Sequence, residues 1–403
     1  MLLCLAYTAR GEEIEKDTAK IRNVELNEVV VQSFKQQIGL YVDGIPYFEK
    51  SAFDFDFNEV DRIEVLRGPQ GTLYGRNTMG GIINVYTKSP LKYEGTNVWL
   101  SNGSYGYRDY ALSHYKKIGE KFGYAISGDY RNSDGYFTNL FTDKKADDMK
   151  SGSARIRLEW KPQKNLSFGL MSSFDRSVQG GYPYAVCDSV THKPGEVDYN
   201  DYSFYKRTLS TTGFSADYQG TGYSINSRTA FQYLSDHQGI DQDFSPRSIY
   251  FARQDMKQKM FSEELNIKST TPGRYKWLFG AFGFWQGIDN TVTLDYFTKD
   301  YATRKLYDTP AYGVAFYHQS TIDDLLTRGL SLTFGIRYDY EHTSNDFLFY
   351  KETDGGSEQM DAFDSRLKFS QVTPKIALQY MFPSTGMLYA TVTKGYKLSL
   401  IHI

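Results

Sequence analysis

No stretch of this 403-residue chain approaches the roughly 20 consecutive apolar residues that a membrane-crossing helix requires. If the chain lies in a bilayer, it must do so as a closed barrel, because lipid offers no partner for unpaired backbone groups. Cysteine is scarce too. Cys4 and Cys187 form no CxxC pair and no disulfide framework, so the redox compartment is not readable from them. A charge excess is also missing. Lys and Arg number 46 against 48 Asp and Glu, a net charge of −2, which argues against binding nucleic acid by phosphate neutralisation. The 6 histidines show no HExxH or paired spacing, so a catalytic zinc is not expected. Neither Gly-Lys-Ser/Thr nor G-x-G-x-x-G occurs, which removes the common nucleotide cradles. Asp54, Asp56 and Asp61 have the chemistry of hard-cation ligands, but Asp alternating with Phe reads more simply as an amphipathic strand. No enzyme activity, cofactor or metal site is expected.

What the chain has in quantity is aromatic rings: 34 Tyr, 27 Phe and 4 Trp together make up 16% of all residues. Yet the mean hydropathy is −0.52 and 23% of residues are charged. Transmembrane barrels combine these properties because lipid-facing and lumen-facing residues alternate. Secreted sugar-binding β-proteins do so as well. The alternation is explicit in Arg155-Ile156-Arg157-Leu158-Glu159-Trp160-Lys161, where even positions are apolar and odd ones charged. It recurs from Phe122 to Arg131 and from Leu332 to Tyr340, and again where Leu388, Ala390 and Val392 alternate with Tyr389, Thr391 and Thr393. Period two with one apolar and one polar face describes a sheet half in oil and half in a wet space.

Connections come in two sizes. Short turns are expected at 119–121, 162–165, 220–222, 271–274 and 383–385, and long polar loops at about 179–206, 235–254, 287–308 and 342–365. Their alternation is the pattern of a membrane barrel with short periplasmic turns and long outer loops. No blade-sized repeat suggests a propeller. The count is about 13 candidate strands, an odd number that does not close a bacterial single-chain barrel. Three regions follow: an N-terminal segment over 1–24, a unit rich in glycine turns over 25–90, and the barrel-like region over 91–403. The opening Met1-Leu2-Leu3-Cys4-Leu5-Ala6 reads equally as a signal remnant or as a start inside a longer gene.

The most informative stretch is 60–88. It begins Val60-Asp61-Arg62-Ile63-Glu64-Val65-Leu66-Arg67-Gly68-Pro69 and continues through Leu73-Tyr74-Gly75 to Gly80-Gly81-Ile82-Ile83-Asn84-Val85-Tyr86-Thr87-Lys88. Physically this is a strand broken by Gly68-Pro69 and Gly71, a turn, a glycine pair that allows close backbone approach, then a buried strand. The segment closely resembles the plug signature of TonB-dependent receptors: R-I-E-V-x-R-G-P, then L-Y-G, then G-G-x-I-N-x-x-T-K. The matching positions are Arg62, Glu64, Arg67, Gly68, Pro69, Leu73, Tyr74, Gly75, Gly80, Gly81, Asn84 and Thr87. Leu40-Tyr41-Val42-Asp43-Gly44-Ile45-Pro46-Tyr47 resembles the strand and turn that precede it.

The resemblance implies an all-β protein: a transmembrane antiparallel β-barrel, present as about 13 of 22 strands, with a partial N-terminal plug. It implies a receptor in the outer membrane of a Gram-negative bacterium, surrounded by outer-membrane lipid and importing a scarce ligand with energy supplied through the partner TonB. Glu25-Leu26-Asn27-Glu28-Val29-Val30-Val31 is the candidate segment for pairing with TonB by strand addition, or is simply the plug's first strand. In this family, plug arginines after the R-I-E-V run meet wall glutamates, which makes Arg67 and Glu264 the candidate plug–barrel contact. Alternation puts Ser262, Glu264, Asn266 and Lys268 on the lumen side if Phe261, Leu265 and Ile267 face lipid. Three departures from the family pattern imply a truncated copy: a short plug, too few strands, and a tail after Lys397 that does not continue a barrel strand.

The expected ligand is a ferric siderophore, with vitamin B12 or a glycan as alternatives by the same mechanism; the sequence identifies no ligand-binding residues. A secreted carbohydrate-binding β-protein is the reading from another class. Gel migration separates them. The barrel should need detergent and should run differently when left unboiled, whereas a chain soluble without detergent would favour the secreted protein.

Overall fold

The computed structural model describes residues 38–53, 59–68, 70–383 and 386–395. The first four strands form a small sheet: β1 (Ile38–Val42), β2 (Ile45–Tyr47), β3 (Val60–Arg67) and β4 (Gly81–Thr87), side by side as β2-β1-β4-β3. β1 runs parallel to β4, and the other two pairs are antiparallel. Asp43 and Gly44 join β1 to β2 with φ of 50° and 84°, the double positive φ that a two-residue hairpin of this hand requires. A helical turn, α1 (Gly71–Tyr74), lies between β3 and β4.

The remaining chain builds an antiparallel wall. It starts with β5 (Gly95–Asn102), β6 (Arg108–Ile118) and β7 (Phe122–Ser133). A separate ribbon follows, made of β8 (Thr138–Asn139) and β9 (Lys144–Lys145). The wall resumes with β10 (Met149–Gln163), β11 (Leu166–Gly180), β12 (Phe204–Gln219), β13 (Tyr223–Asp241) and β14 (Tyr250–Ser269). It ends with β15 (Tyr275–Tyr296), β16 (Tyr301–Asp308), β17 (Ala311–Ile322), β18 (Leu330–Thr353), β19 (Gly356–Phe382) and β20 (Gly386–Thr393).

These strands make one 14-stranded sheet in chain order. Within it β16 and β17 share one position, since both pair with β15 on one side and β18 on the other. The break between them falls at Pro310, which has no N–H to give to a ladder. Thirteen strand positions therefore remain, as the alternation led us to expect. Among the described residues the sheet path runs from β5 to β20 without joining its two ends.

The short turns fall where they were expected, but three of the long loops do not. β15 continues to Tyr296 and β16 begins at Tyr301, so 287–308 is a strand hairpin. β18 and β19 pair out to Thr353 and Gly356, so 342–365 is another. β13 and β14 similarly leave only residues 242–249 between them. These segments are polar because their strands continue past the apolar band, and polarity says nothing about whether the ladder stops. The loop of 181–203 stays irregular, as expected.

Alternation sets the two faces of the wall. On β10, Ile156 and Trp160 are turned outward and exposed while Arg155 and Arg157 point inward. On β14, Phe261 and Leu265 face out while Met260 and Ser262 are buried inside. The small sheet sits against the inner face. Leu40, Val42, Ile45, Tyr47 and Val85 pack with Met171, Leu209, Ala230 and Leu234 of the wall in one apolar cluster.

Gly81 explains one half of the glycine pair. Its φ is +143°, and a Cβ there would stand 2.5 Å from the Leu66 carbonyl oxygen across the β3–β4 ladder. Gly81→Val should therefore cost about 1–3 kcal/mol and loosen β3. Limited proteolysis in detergent should cut near 60–67 while the wall keeps its unboiled gel shift; unchanged protease resistance would contradict this account.

Candidate functional site

The site is the contact between the small sheet and the inner face of the wall. Its geometry begins with Asp43 at the β1–β2 turn. The Thr87 backbone N–H (2.9 Å) and hydroxyl (2.7 Å) donate to its two carboxylate oxygens, orienting them toward the wall. Arg157 on β10 donates to Asp43 at 2.9 Å and to the Thr87 hydroxyl, and its other nitrogens pair with Glu159 at 2.9 Å. One strand step along, Arg155 meets Glu59 at 2.8 Å, with both side chains nearly buried. Two wall arginines on one strand thus hold two acids of the plug.

Other wall arginines add to the seat. Arg207 on β12 donates to the Ser51 carbonyl at 2.8 Å. Arg337 on β18, itself oriented by Asp339 (2.8 and 2.9 Å), donates to the Leu73 carbonyl at 3.1 Å. Gly75 has to be glycine here: its φ is +75°, and a Cβ would come within 2.5 Å of the Arg337 guanidinium. One contact has the opposite sense. Arg76 of the plug lies 3.7 Å from Glu341 of β18, with its guanidinium over the rings of Phe48 and Phe284.

The signature residues divide by role. Asn84 donates to the Tyr74 hydroxyl at 2.9 Å, and Tyr41 donates to the Tyr74 carbonyl at 3.0 Å, so Leu73-Tyr74-Gly75 is fixed to the strand pair behind it. Burial, with the Glu264 carboxylate adding to it, pushes the Tyr41 phenol far above its ordinary value, which keeps it a donor. Thr87 orients Asp43. Arg62 and Glu64 pair with each other at 2.9 Å on the exposed face of β3, where Arg62 also covers the Tyr86 ring. Gly68 takes φ +81° at the end of β3. Pro69, the Glu25–Val31 segment, and Asp54 and Asp56 lie outside the described residues. Among the described residues, no group of His, Cys, Asp and Glu is arranged to hold a metal ion.

The expected contact between Arg67 and Glu264 is not made. Arg67 is exposed at the end of β3, and Glu264 instead accepts a 2.5 Å hydrogen bond from Tyr317, which also donates to Asn266. Glu264 does lie on the inner face, as alternation required. The contact that forms has the reverse sense, with arginines on the wall and most of the acids on the plug. Its sequence signal was the charged odd positions of 155–159, but a single sequence does not say which acid each arginine meets.

At the long-loop end, the inner faces of the extended hairpins carry rings. Tyr250 and Tyr296 stack at 6.2 Å and Tyr296 and Tyr301 at 4.8 Å. Lys351 lies 4.7 Å from the Tyr301 ring and Lys305 lies 5.3 Å from that of Phe349. Register places these side chains on the same face as buried Gln286 and Ala311, above the plug.

Comparison with known proteins agrees with this fold. Residues 8–82 match the family described as the TonB-dependent receptor plug domain, a match that begins inside the N-terminal segment set apart above. The pesticin receptor of Yersinia pestis is 24% identical over 381 residues, 90% of this chain and 53% of that receptor. The vitamin B12 transporter BtuB of Vibrio cholerae is 38% identical over 90 residues, 21% of this chain and 15% of the transporter. Among solved structures, the ferric yersiniabactin uptake receptor FyuA from Yersinia pestis superposes with a TM-score of 0.77 at 20% identity, covering 90% of this chain and 56% of that one. The chain spans about half the length of the curated relatives that it matches across its whole extent (53%).

Arg157→Glu should loosen the plug, because it leaves two like charges facing across a partly buried contact. Adding Asp43→Arg should restore at least half of the lost protease protection. A double variant no better than the single one would mean that the pair does not hold the plug.

Proposed function

We propose that this chain, which carries the plug sequence and the wall fold of the TonB-dependent receptors, serves active uptake of a scarce ligand across the outer membrane of a Gram-negative bacterium. The observation that carries the reading is the seat of the plug. It is held by oriented, charge-assisted contacts from Arg155, Arg157 and Arg337, combined with one modest apolar cluster. Such contacts fix a plug firmly yet can be exchanged for water one at a time when force is applied, which an interlocked apolar core resists. A passive pore has no use for a seat of this kind. TonB is the coupling partner in this reading, with Glu25–Val31 as the strand it would pair.

For the ligand, the aromatic inner face of the outer hairpins favours a ferric siderophore. Rings backed by Lys305 and Lys351 suit an anionic chelate, whose outer arms can pack on the aromatics while the ammonium groups offset its charge. Vitamin B12 offers less anionic surface to those lysines. The plug-limited likeness to BtuB bears on the coupling machinery and leaves the cargo open. Iron starvation should induce the protein, and cells carrying it should accumulate a labelled ferric siderophore only while the inner-membrane energy source is intact. Induction by a polysaccharide, with no iron-dependent uptake, would overturn the assignment.

A further inference from the structure

A cavity of about 1080 Å³ lies between the plug and the wall, on the side away from the aromatic hairpins. Its lining comes from the plug at Tyr41, Tyr74, Tyr86 and Lys88 and from inward residues of β10 to β15 and β17. It opens at the short-turn end. Lys117 and Glu120 flank the 119–121 turn, Lys161 lies beside the 162–165 turn, and Lys268 lies just before 270–274. The volume matches that of pockets that enclose whole small-molecule ligands, roughly 300–1,000 Å³.

The charges around it are unbalanced in a specific way. Among the described residues, eight lysines and arginines line the cavity against six carboxylates, a net excess of two positive charges. Each of those carboxylates already has a donor. Asp43 and Glu159 are held by Arg157, Asp217 by Arg228, Glu120 by Lys117, Asp61 by Arg62 and Glu264 by Tyr317. Lys88, Lys92, Lys161 and Lys268 pair with no carboxylate among the described residues, and Lys88 rests 5.1 Å from the Tyr93 ring. Tyrosine rings and ammonium groups with no carboxylate partner among the described residues therefore face one half-open volume at the short-turn end.

We propose that this cavity is a second ligand site, one that takes an anionic aromatic molecule on the short-turn side of the plug. Rings supply stacking surface, and the lysines leave the described lining with a net excess of two positive charges. In one respect this rests on the transport reading: the natural occupant would be the anionic chelate after it has passed the plug. The site would then hold cargo at the exit, so that return past the plug competes with release.

The test uses the full chain in detergent and a photoreactive aromatic carboxylate, 4-benzoylbenzoate, with labelled peptides mapped by mass spectrometry. Label should appear in the peptides carrying Tyr86 to Tyr93 and Arg157 to Lys161. Lys161→Glu combined with Lys268→Glu, both at the solvent rim, should lower that labelling about fivefold, as reversing two partly screened charges predicts. Lys144→Glu, on the distant ribbon, should leave it unchanged. Absence of label from the cavity peptides, or equal label in the double variant, overturns the site. Competition by ferric tris(2,3-dihydroxybenzoate) ties the site to the proposed cargo. Cavity labelling that the chelate does not compete away would keep the anion site and count against the siderophore reading alone.

Discussion

Everything in this molecule depends on the ladder of backbone hydrogen bonds that runs from strand to strand through its wall. In an apolar surrounding no water completes a peptide group, so each strand must pair fully with the next. Pairing of that kind imposes period two, and period two commits every second side chain to the inside. Ile156 and Trp160 face out on β10 only because Arg155 and Arg157 face in. The same ladder tolerates Pro310, because the strand position is shared by β16 and β17 on either side of it.

The inward arginines would be costly if they were left alone. A guanidinium in a partly dehydrated lumen needs an oriented acceptor, and the plug supplies one for Arg155, Arg157, Arg207 and Arg337. Asp43 reaches Arg157 because Thr87 clamps both of its oxygens from β4, and Leu73 offers its carbonyl to Arg337 because Tyr74 is tied to Asn84 and Tyr41. Much of the signature therefore serves to aim a few acceptors at the wall. Breaking one such partly buried contact costs more than a surface ion pair yields, because the remaining partner stays desolvated. The plug is held by a handful of directed bonds that water can replace, together with the apolar cluster around Val42 and Ile45.

The two ends of the wall differ in chemistry as well as in loop length. At the long-loop end the strands outrun the apolar band and continue as paired hairpins whose inner faces carry tyrosine, phenylalanine and lysine. At the short-turn end the inner face is charged, with lysines at the rim of a tyrosine-lined cavity beneath the plug. The plug's ionic seat separates the two spaces.

The sequence alone determined the fold class, the strand count, the facing of wall residues where alternation is explicit, and the glycine-punctuated plug strands. Each of these follows from local periodicity or from a residue type that one backbone geometry demands. Glu264 was placed on the correct face for that reason. The sequence could not determine its partner, because period two states which side a residue faces and nothing about what crosses the lumen to meet it. Arg157 and Asp43 are 114 residues apart and meet only once the plug is seated. The extent of the outer hairpins was hidden for a related reason: polar residues look alike in a loop and in a strand beyond the membrane, and only pairing with a neighbour distinguishes them. Tertiary structure thus decided the sign of the plug contact, the length of the outer strands and the existence of the cavity, all of which depend on residues distant in sequence being brought face to face.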